Sequence, residues 1–318
     1  MVRRSDLEEK ILSPLQYIQP TRYDHSRRPT EVSSPGPPRT MTPNDAFLAQ
    51  QLRRLDYERY LLSLLAPSFR RHALWAILAL NLELSRIPDM VSQPVLGQMR
   101  LAWWRDAIRR ALHQRESGGN PVLEGLMAAA AHGLIDEAAL NGLVDGHEQL
   151  LLRDPEGALA TLDADAGAIG VALARLRLQA LGVNSAGYDD TARRQGVAWE
   201  LMRRLRALPR AASLGQVMIP ADLKIDIPEN YQDPTANRAA LKAVVRHLAD
   251  AISAQFQDGQ SRDGAPRAFL PALGDGLFAM RFVARLRRCG GEIADPRMLG
   301  PDGLAPAALA WAWLRGAF

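Results

Sequence analysis

From residue 41 onward apolar positions recur every three or four residues, the spacing of one face of an α-helix, with polar residues between them. "MTPNDAFLAQQLRRLDYERYLLSLL" is predicted as helix, with Thr42 or Asn44 placed to cap its first turn. Leu52, Leu55, Tyr60, Leu61 and Leu65 lie at helical spacing, and "APSFRR" marks the turn after them. "RHALWAILALNLELSRI" follows and stops near Pro88, and "VLGQMRLAWWRDAIRRALHQ" runs to a break at "GGNP". Shorter helices are predicted over 122–132 and 136–152. "DAGAIGVALARLRLQALGV" and "DDTARRQGVAWELMRRLRAL" are two longer ones separated by "NSAGY". "NRAALKAVVRHLADAISAQFQ", "AFLPALGDGLFAMRFVARLRRCG" and "APAALAWAWLRGAF" complete the chain. No segment carries a β-hairpin signal, and no repeat of fixed period is present. Several helices are apolar round most of their circumference and rich in Ala and Gly, which predicts an all-α bundle around a central cavity.

Residues 1–40 break this pattern. "PTRYDHSRRPTEVSSPGPPRT" is rich in Pro, Ser and Arg without apolar period, and is expected to be a disordered tail. Residues 41–318 are expected to form one helical domain, with Met41 the natural start. Asp6, Glu8, Glu9, Asp24 and Glu31 argue against a transit peptide, and no apolar run reaches the length needed to span a bilayer. The expected location is therefore cytoplasmic, with peripheral contact to the inner membrane left open.

Composition narrows the partners. The chain has 318 residues, 47% of them hydrophobic, enough for a sizeable core. The net charge of +4 is carried almost wholly by arginine, since the lysines are Lys10, Lys224 and Lys242 alone. Arg193, Arg194, Arg203, Arg204, Arg206 and Arg210 offer a basic face, but Trp199 is the only aromatic nearby, and nucleic acid is not expected as a partner. A single cysteine, Cys289, excludes a disulfide framework and a thiolate metal site.

The standard catalytic constellations are missing. His25, His72, His113, His132, His147 and His247 show no metal-binding spacing and read as ordinary histidines. No nucleophile elbow or phosphate-cradling glycine loop occurs. On a continuous helix Asn81, Ser85 and Asp89 would share a face, a spacing at which oxygen ligands can hold Mg²⁺, although Pro88 threatens the register. Glu83 lies about 200° round the helix from Asn81 and is expected to point elsewhere. A mildly polar helix end is the plainer reading of the same residues. Trp103 and Trp104 are adjacent, so at least one belongs to the core, and the pair could serve a membrane surface or partner.

Taken together, "RYLLSLLAPSFRRHALWAILALNLELSRIPD", "LAWWRDAI", "DADAGAIGVALARLRLQALG" and "GVAWELMRRLRALPRAASLGQVMIPADL" resemble the squalene/phytoene synthase family, in the family's order. "AFLPALGDGLFAMRFVARLRRCGGEIADPRM" is similar to its C-terminal helices. The resemblance implies the isoprenoid-synthase helical fold, in which two aspartate-rich helices hold Mg²⁺ across a cavity and two prenyl diphosphates are condensed head to head. At the motif positions this chain departs from the family. The first aspartate motif falls on Ser85, Arg86 and Asp89, leaving only its last acid. The second, Q-L-x-N-x-x-R-D-x-x-x-D, falls on Glu200, Arg203, Arg206, Ala207 and Ala211, so both aspartates are alanine and the asparagine is arginine. Gln216 and Met218 stand at the Arg and Tyr of G-R-x-Y-[LI]-P.

"LNLELSRIPDMVSQPVLGQMRLAWWRDAI" resembles more closely the branch represented by a mitochondrial complex I assembly factor, a branch regarded as non-catalytic and associated with the inner membrane. Asn81, Glu83, Leu84, Asp89, Gly97, Met99, Arg100 and Trp104 carry that match, and the lack of a convincing transit peptide fits a bacterial relative. The resemblance implies a pseudoenzyme that binds or assembles, with complex I subunits or a prenyl or lipid ligand as partner and no cofactor. Arg203 and Arg206 are the candidate diphosphate contacts, and Arg203 is expected to close the former metal site. Two alternatives remain. One is an active head-to-head prenyl transferase using Mg²⁺ on Asp89 with Glu83, Asp163 and Asp165, although capping the following helix is the plainer role of the last two. The other is a helical protein that only holds an isoprenoid or lipid.

Overall fold

The computed structural model describes residues 40–91, 93–152, 159–183, 187–213, 234–257, 267–298, 300 and 302–315. Of the tail expected over 1–40, residues 1–39 lie outside the described residues. Every regular element among the described residues is helical, as the periodicity predicts.

Helix α1 (Pro43–Leu55) opens on a capping box: the Thr42 hydroxyl accepts from Asp45 N at 3.1 Å and the Asp45 carboxylate accepts from Thr42 N at 2.9 Å. Thr42 is thus the cap, while Asn44 donates to the Pro121 carbonyl at 3.0 Å. The helix expected to continue through residue 65 instead breaks at Asp56 (φ −144°, ψ 61°), and α2 (Tyr57–Leu64) starts afresh. The break turns the Asp56 carboxyl inward beside Arg59.

Helix α3 (Ser68–Ser85) is buried without interruption from Ala73 to Asn81, so it runs through the interior. It ends at Ser85, and the short α4 (Ile87–Met90) carries Pro88 and Asp89 in a separate turn. Helices α5 (Pro94–Gln114), α6 (Pro121–Ala131) and α7 (Glu137–Leu152) follow. Asn120 caps α6 by accepting from Val122 N and Leu123 N. In α5, Trp104 is buried and Trp103 is exposed, which divides the adjacent tryptophans between core and surface.

Helices α8 (Leu159–Ala180) and α9 (Asp189–Ser213) pack together at their glycines: a Cβ on Gly196 would lie 2.2 Å from the Gly170 Cα. Because α8 starts at Leu159, Asp163 and Asp165 lie inside it rather than capping it, contrary to expectation. Helices α10 (Pro234–Ala254), α11 (Leu270–Leu273), α12 (Asp275–Arg288) and α13 (Ala305–Arg315) complete the set, the predicted 268–290 helix being divided at Gly274.

One apolar core joins α1, α3, α5, α6, α7 and α8, and a second joins α2, α9, α10, α12 and α13. Between them sits a buried ion cluster. The Asp275 carboxylate, at the positive N-terminus of α12, accepts from Arg59 at 2.8 and 3.1 Å and from Arg177 at 3.0 Å. Arg177, 1% exposed, also donates to the Pro271 carbonyl at 3.0 Å, so α2, α8, α11 and α12 are tied at one point.

Candidate functional site

A cavity of about 210 Å³ lies where α2, α3, α7, α8 and α9 meet. The break at Asp56 supplies Asp56, Glu58 and Arg59; the inner end of α3 supplies Asn81 and Ser85; α7 supplies His147. The small residues Ala166, Gly170 and Gly196 line it where α8 and α9 meet, and α9 adds Trp199, Glu200, Arg203 and Arg206.

Asn81, Ser85, Glu200, Arg203 and Arg206 are therefore brought together. Asp89 does not join them. The helix break at Arg86 places it on an exposed turn outside the cavity lining, although its charge still reaches Arg203. Glu83 points away, as expected, and accepts from Gln51 Nε2 at 3.1 Å. Ala207 is exposed and outside the lining, and the side chain of Ala211, with Gln216 and Met218, lies outside the described residues.

Each charged group in the cavity faces a partner of opposite sign. Arg203 grips Glu200 with both ends of its fork, Nε to Oε2 and Nη2 to Oε1 each at 2.8 Å, and Arg204 Nε lies 3.4 Å from the same carboxylate. The charge of Glu200, against the opposing effect of burial, raises the Arg203 guanidinium above its ordinary value. Burial works to raise the Glu200 carboxyl, but Arg203 and Arg204 bring it below its ordinary value. Arg206 donates to Glu58 Oε1 at 2.5 Å. Arg59 lies 4.1 Å from the centre of the Trp199 ring while bonding Asp275.

Sequence reasoning missed Asp56, Glu58, Arg59, His147 and Trp199. His147 Nε2 meets Asn81 Oδ1 at 3.1 Å, and burial pushes its imidazole down to about 4, so the ring is neutral at physiological pH. Burial pushes the Asp56 carboxyl up to about 6 despite Arg59 Nη1 at 3.8 Å, and its Oδ1 has no hydrogen-bond partner. Neither residue sits in a recognisable spacing, and the only local signal is an acid in the middle of an otherwise continuous apolar period.

These residues do not fit Mg²⁺, which demands several oxygen ligands in near-octahedral array. Glu200 and Glu58 are held by guanidinium groups, the Asn81 carbonyl faces His147, and the Ser85 hydroxyl donates to the Leu82 carbonyl at 2.9 Å. Among the described residues no group of three or more His, Cys, Asp or Glu is placed to hold a metal ion. Likewise no helix of the described residues is long and apolar enough to cross a membrane.

Residues 52–299 match the squalene/phytoene synthase family, and the chain belongs to it. Curated relatives are named NADH dehydrogenase (ubiquinone) complex I, assembly factor 6. The rat protein is 26% identical over 281 residues, spanning 87% of this chain and 83% of the relative. The human protein is 29% identical over 273 residues, spanning 83% and 80%. Among solved structures, squalene synthase HpnC from Alicyclobacillus acidocaldarius superposes with a TM-score of 0.59 at 16% identity, over 78% of this chain and 94% of the other. A dehydrosqualene synthase in complex with ligand gives 0.57 at 12% identity, over 86% and 95%. These structural likenesses establish the isoprenoid-synthase helical fold expected from the sequence.

Proposed function

We propose that this member of the squalene/phytoene synthase family is a non-catalytic protein that assists assembly of a respiratory NADH dehydrogenase, complex I, and needs no Mg²⁺. The observation that carries the reading is the Arg203–Glu200 pair, which holds a guanidinium, at the asparagine position of the second motif, against a carboxylate inside the cavity. Ionising a prenyl diphosphate requires cations that neutralise the departing group. Arg203 and Arg206, already held by Glu200 and Glu58, are poorly placed to take that role. Binding a diphosphate in its ground state would in any case leave the chemical barrier unchanged. The cavity volume of about 210 Å³ also falls below the roughly 300–1,000 Å³ usual for small-molecule sites.

The assembly role is supported by relatives named as complex I assembly factors over most of their length. On this reading the protein acts in the cytoplasm at the inner-membrane surface and contacts subunits of the complex. Two measurements test it. Purified protein supplied with farnesyl or geranylgeranyl diphosphate and Mg²⁺ is expected to form no head-to-head product, and sustained turnover would restore the prenyl transferase reading. A strain lacking the gene is expected to lose assembled NADH dehydrogenase; normal levels of the complex would remove the assembly role.

A further inference from the structure

Helix α5 carries two apolar faces where packing on the core needs one. Leu101, Trp104, Ile108 and Ala111 recur at helical spacing and are buried. On the side away from them Val95, Leu96, Met99 and Trp103 fall within an arc of about 100°. These four are 52, 43, 65 and 48% exposed. The outer apolar face ends there, because the next positions on the same side are Asp106, Arg110 and His113, all exposed. Single apolar side chains at a surface are ordinary, but a cluster on one helix face marks a site of contact.

Two further features point to what makes the contact. The Trp103 ring meets the buried Trp104 ring edge-on, with centroids 5.0 Å apart and 77° between the planes. Trp103 is therefore set in place before anything binds, which lowers the entropy lost on docking. The second feature is charge. Arg109 is taken by Asp106 at 2.7 Å, and Arg105 by Asp145 and Glu148 of α7 at 2.6 Å each. Arg100, on the flank of the apolar face, and Arg110, seven residues beyond Trp103, are exposed and have neither a hydrogen bond nor an ion pair among the described residues. Arg100 stands well inside the helix, where no end dipole calls for a cation.

We propose that the outer face of α5 is the docking surface for a protein partner, and that the partner presents an amphipathic helix whose apolar ridge is flanked by carboxylates. The inference rests on the assembly reading, whose partner it specifies by chemistry. Val95, Met99 and Trp103 form a ridge about 12 Å long, which two to three turns of a partner helix would cover. Aromatic residues, Met and Arg are enriched in protein interfaces and Lys is depleted, and α5 contains no lysine. Carboxylates on the partner would engage Arg100 and Arg110, which stand about 15 Å apart along the axis. An anionic bilayer matches this face less well. It would bring its headgroups against the exposed Asp106 on the same face and Asp145 on the adjoining α7.

The test is calorimetric titration of the whole protein with two designed helical peptides that share a leucine ridge, one flanked by glutamate and the other by lysine. Co-sedimentation with phosphatidylcholine vesicles containing phosphatidylglycerol is the membrane arm. The glutamate peptide is expected to bind at least about tenfold more tightly than the lysine peptide. Met99→Glu with Trp103→Glu is expected to lose about tenfold or more with the fold retained, since both side chains are exposed. Arg100→Glu with Arg110→Glu, which leaves the ridge intact, is expected to invert the preference between the peptides. In a strain lacking the gene, the Met99→Glu with Trp103→Glu protein is expected to leave NADH dehydrogenase unassembled. Trp311→Glu with Leu314→Glu, on exposed apolar positions of α13, is expected to support assembly. Equal binding of the two peptides, binding of neither, a preference that does not invert, or full complementation by the Met99→Glu with Trp103→Glu protein overturns the proposal. So does vesicle binding that depends on Met99 and Trp103, which would assign the face to a bilayer. If the strain lacking the gene assembles the complex normally, the assembly role falls, and the peptide titrations decide the docking surface on their own.

Discussion

Asp56 and His147 line one cavity and are both buried, yet burial moves their proton affinities in opposite directions, up to about 6 and down to about 4. His147 is held neutral, so its contribution to stability is complete above the ordinary 6.5 and is lost as the pH falls towards about 4. His147→Gln keeps a neutral donor facing Asn81 and removes that titration. Denaturant unfolding across this window is expected to show a shallower acid loss in the variant, by up to about 3 kcal/mol. Asp56 behaves in the contrary sense. Its contribution is complete below the ordinary 3.8 and is lost as the pH rises through about 6, where an ionised carboxylate becomes buried. Asp56→Asn is expected to raise stability at about pH 8 by up to about 3 kcal/mol and to leave it unchanged below about pH 4. Profiles that run parallel to the parent's would show that neither group titrates as its burial implies.

At the scale of helices, the periodicity of the chain was enough to place nearly every segment, because amphipathic spacing is a local property. Whereas Pro88 announced the stop at Arg86, the breaks at Asp56 and Gly274 were not legible, because apolar positions continue on both sides of each. Tertiary partners decide them: Arg59 and the cavity at the first, Leu62 and the Leu270 carbonyl packed round Gly274 at the last. The cavity was legible on α9 through Glu200, Arg203 and Arg206, where a family motif marks the positions. It was illegible at Asn81–His147, a contact between residues 66 apart that no spacing announces. Two predictions follow from how the helices meet. Gly196→Ala would drive a Cβ into the Gly170 backbone, which cannot swing aside as a flexible side chain would. A loss of about 3 kcal/mol or more is expected by thermal or urea unfolding, and a variant within about 1 kcal/mol of the parent would mean α8 and α9 can separate freely. Asp275→Asn leaves Arg177 buried without its ion-pair partner and Arg59 with Asp56 alone at 3.8 Å, and is expected to cost about 3–5 kcal/mol. Because Asp275 lies outside the cavity lining, its loss is expected to lower the amount of folded protein rather than alter a ligand profile.

For the whole molecule, the isoprenoid-synthase helical fold persists with internal ion pairs in its cavity. Arg203 with Glu200 and Arg206 with Glu58 join α9 to itself and to α2 inside the cavity. If such a scaffold acts through its surface, the last acid of the first aspartate motif should be dispensable. Asp89 tests this well, since it is exposed, lies outside the cavity and belongs to a one-turn helix, so its removal disturbs little else. A strain lacking the gene and carrying the Asp89→Ala protein is expected to assemble NADH dehydrogenase at the level supported by the parent protein, measured by the amount of intact complex and its NADH oxidation. An enzyme that depended on Asp89 to hold a metal would lose its function entirely. Failure of Asp89→Ala to complement, with the variant protein folded and abundant, would therefore turn the reading back towards catalysis, while full complementation leaves the paired arginines as structural elements of a scaffold.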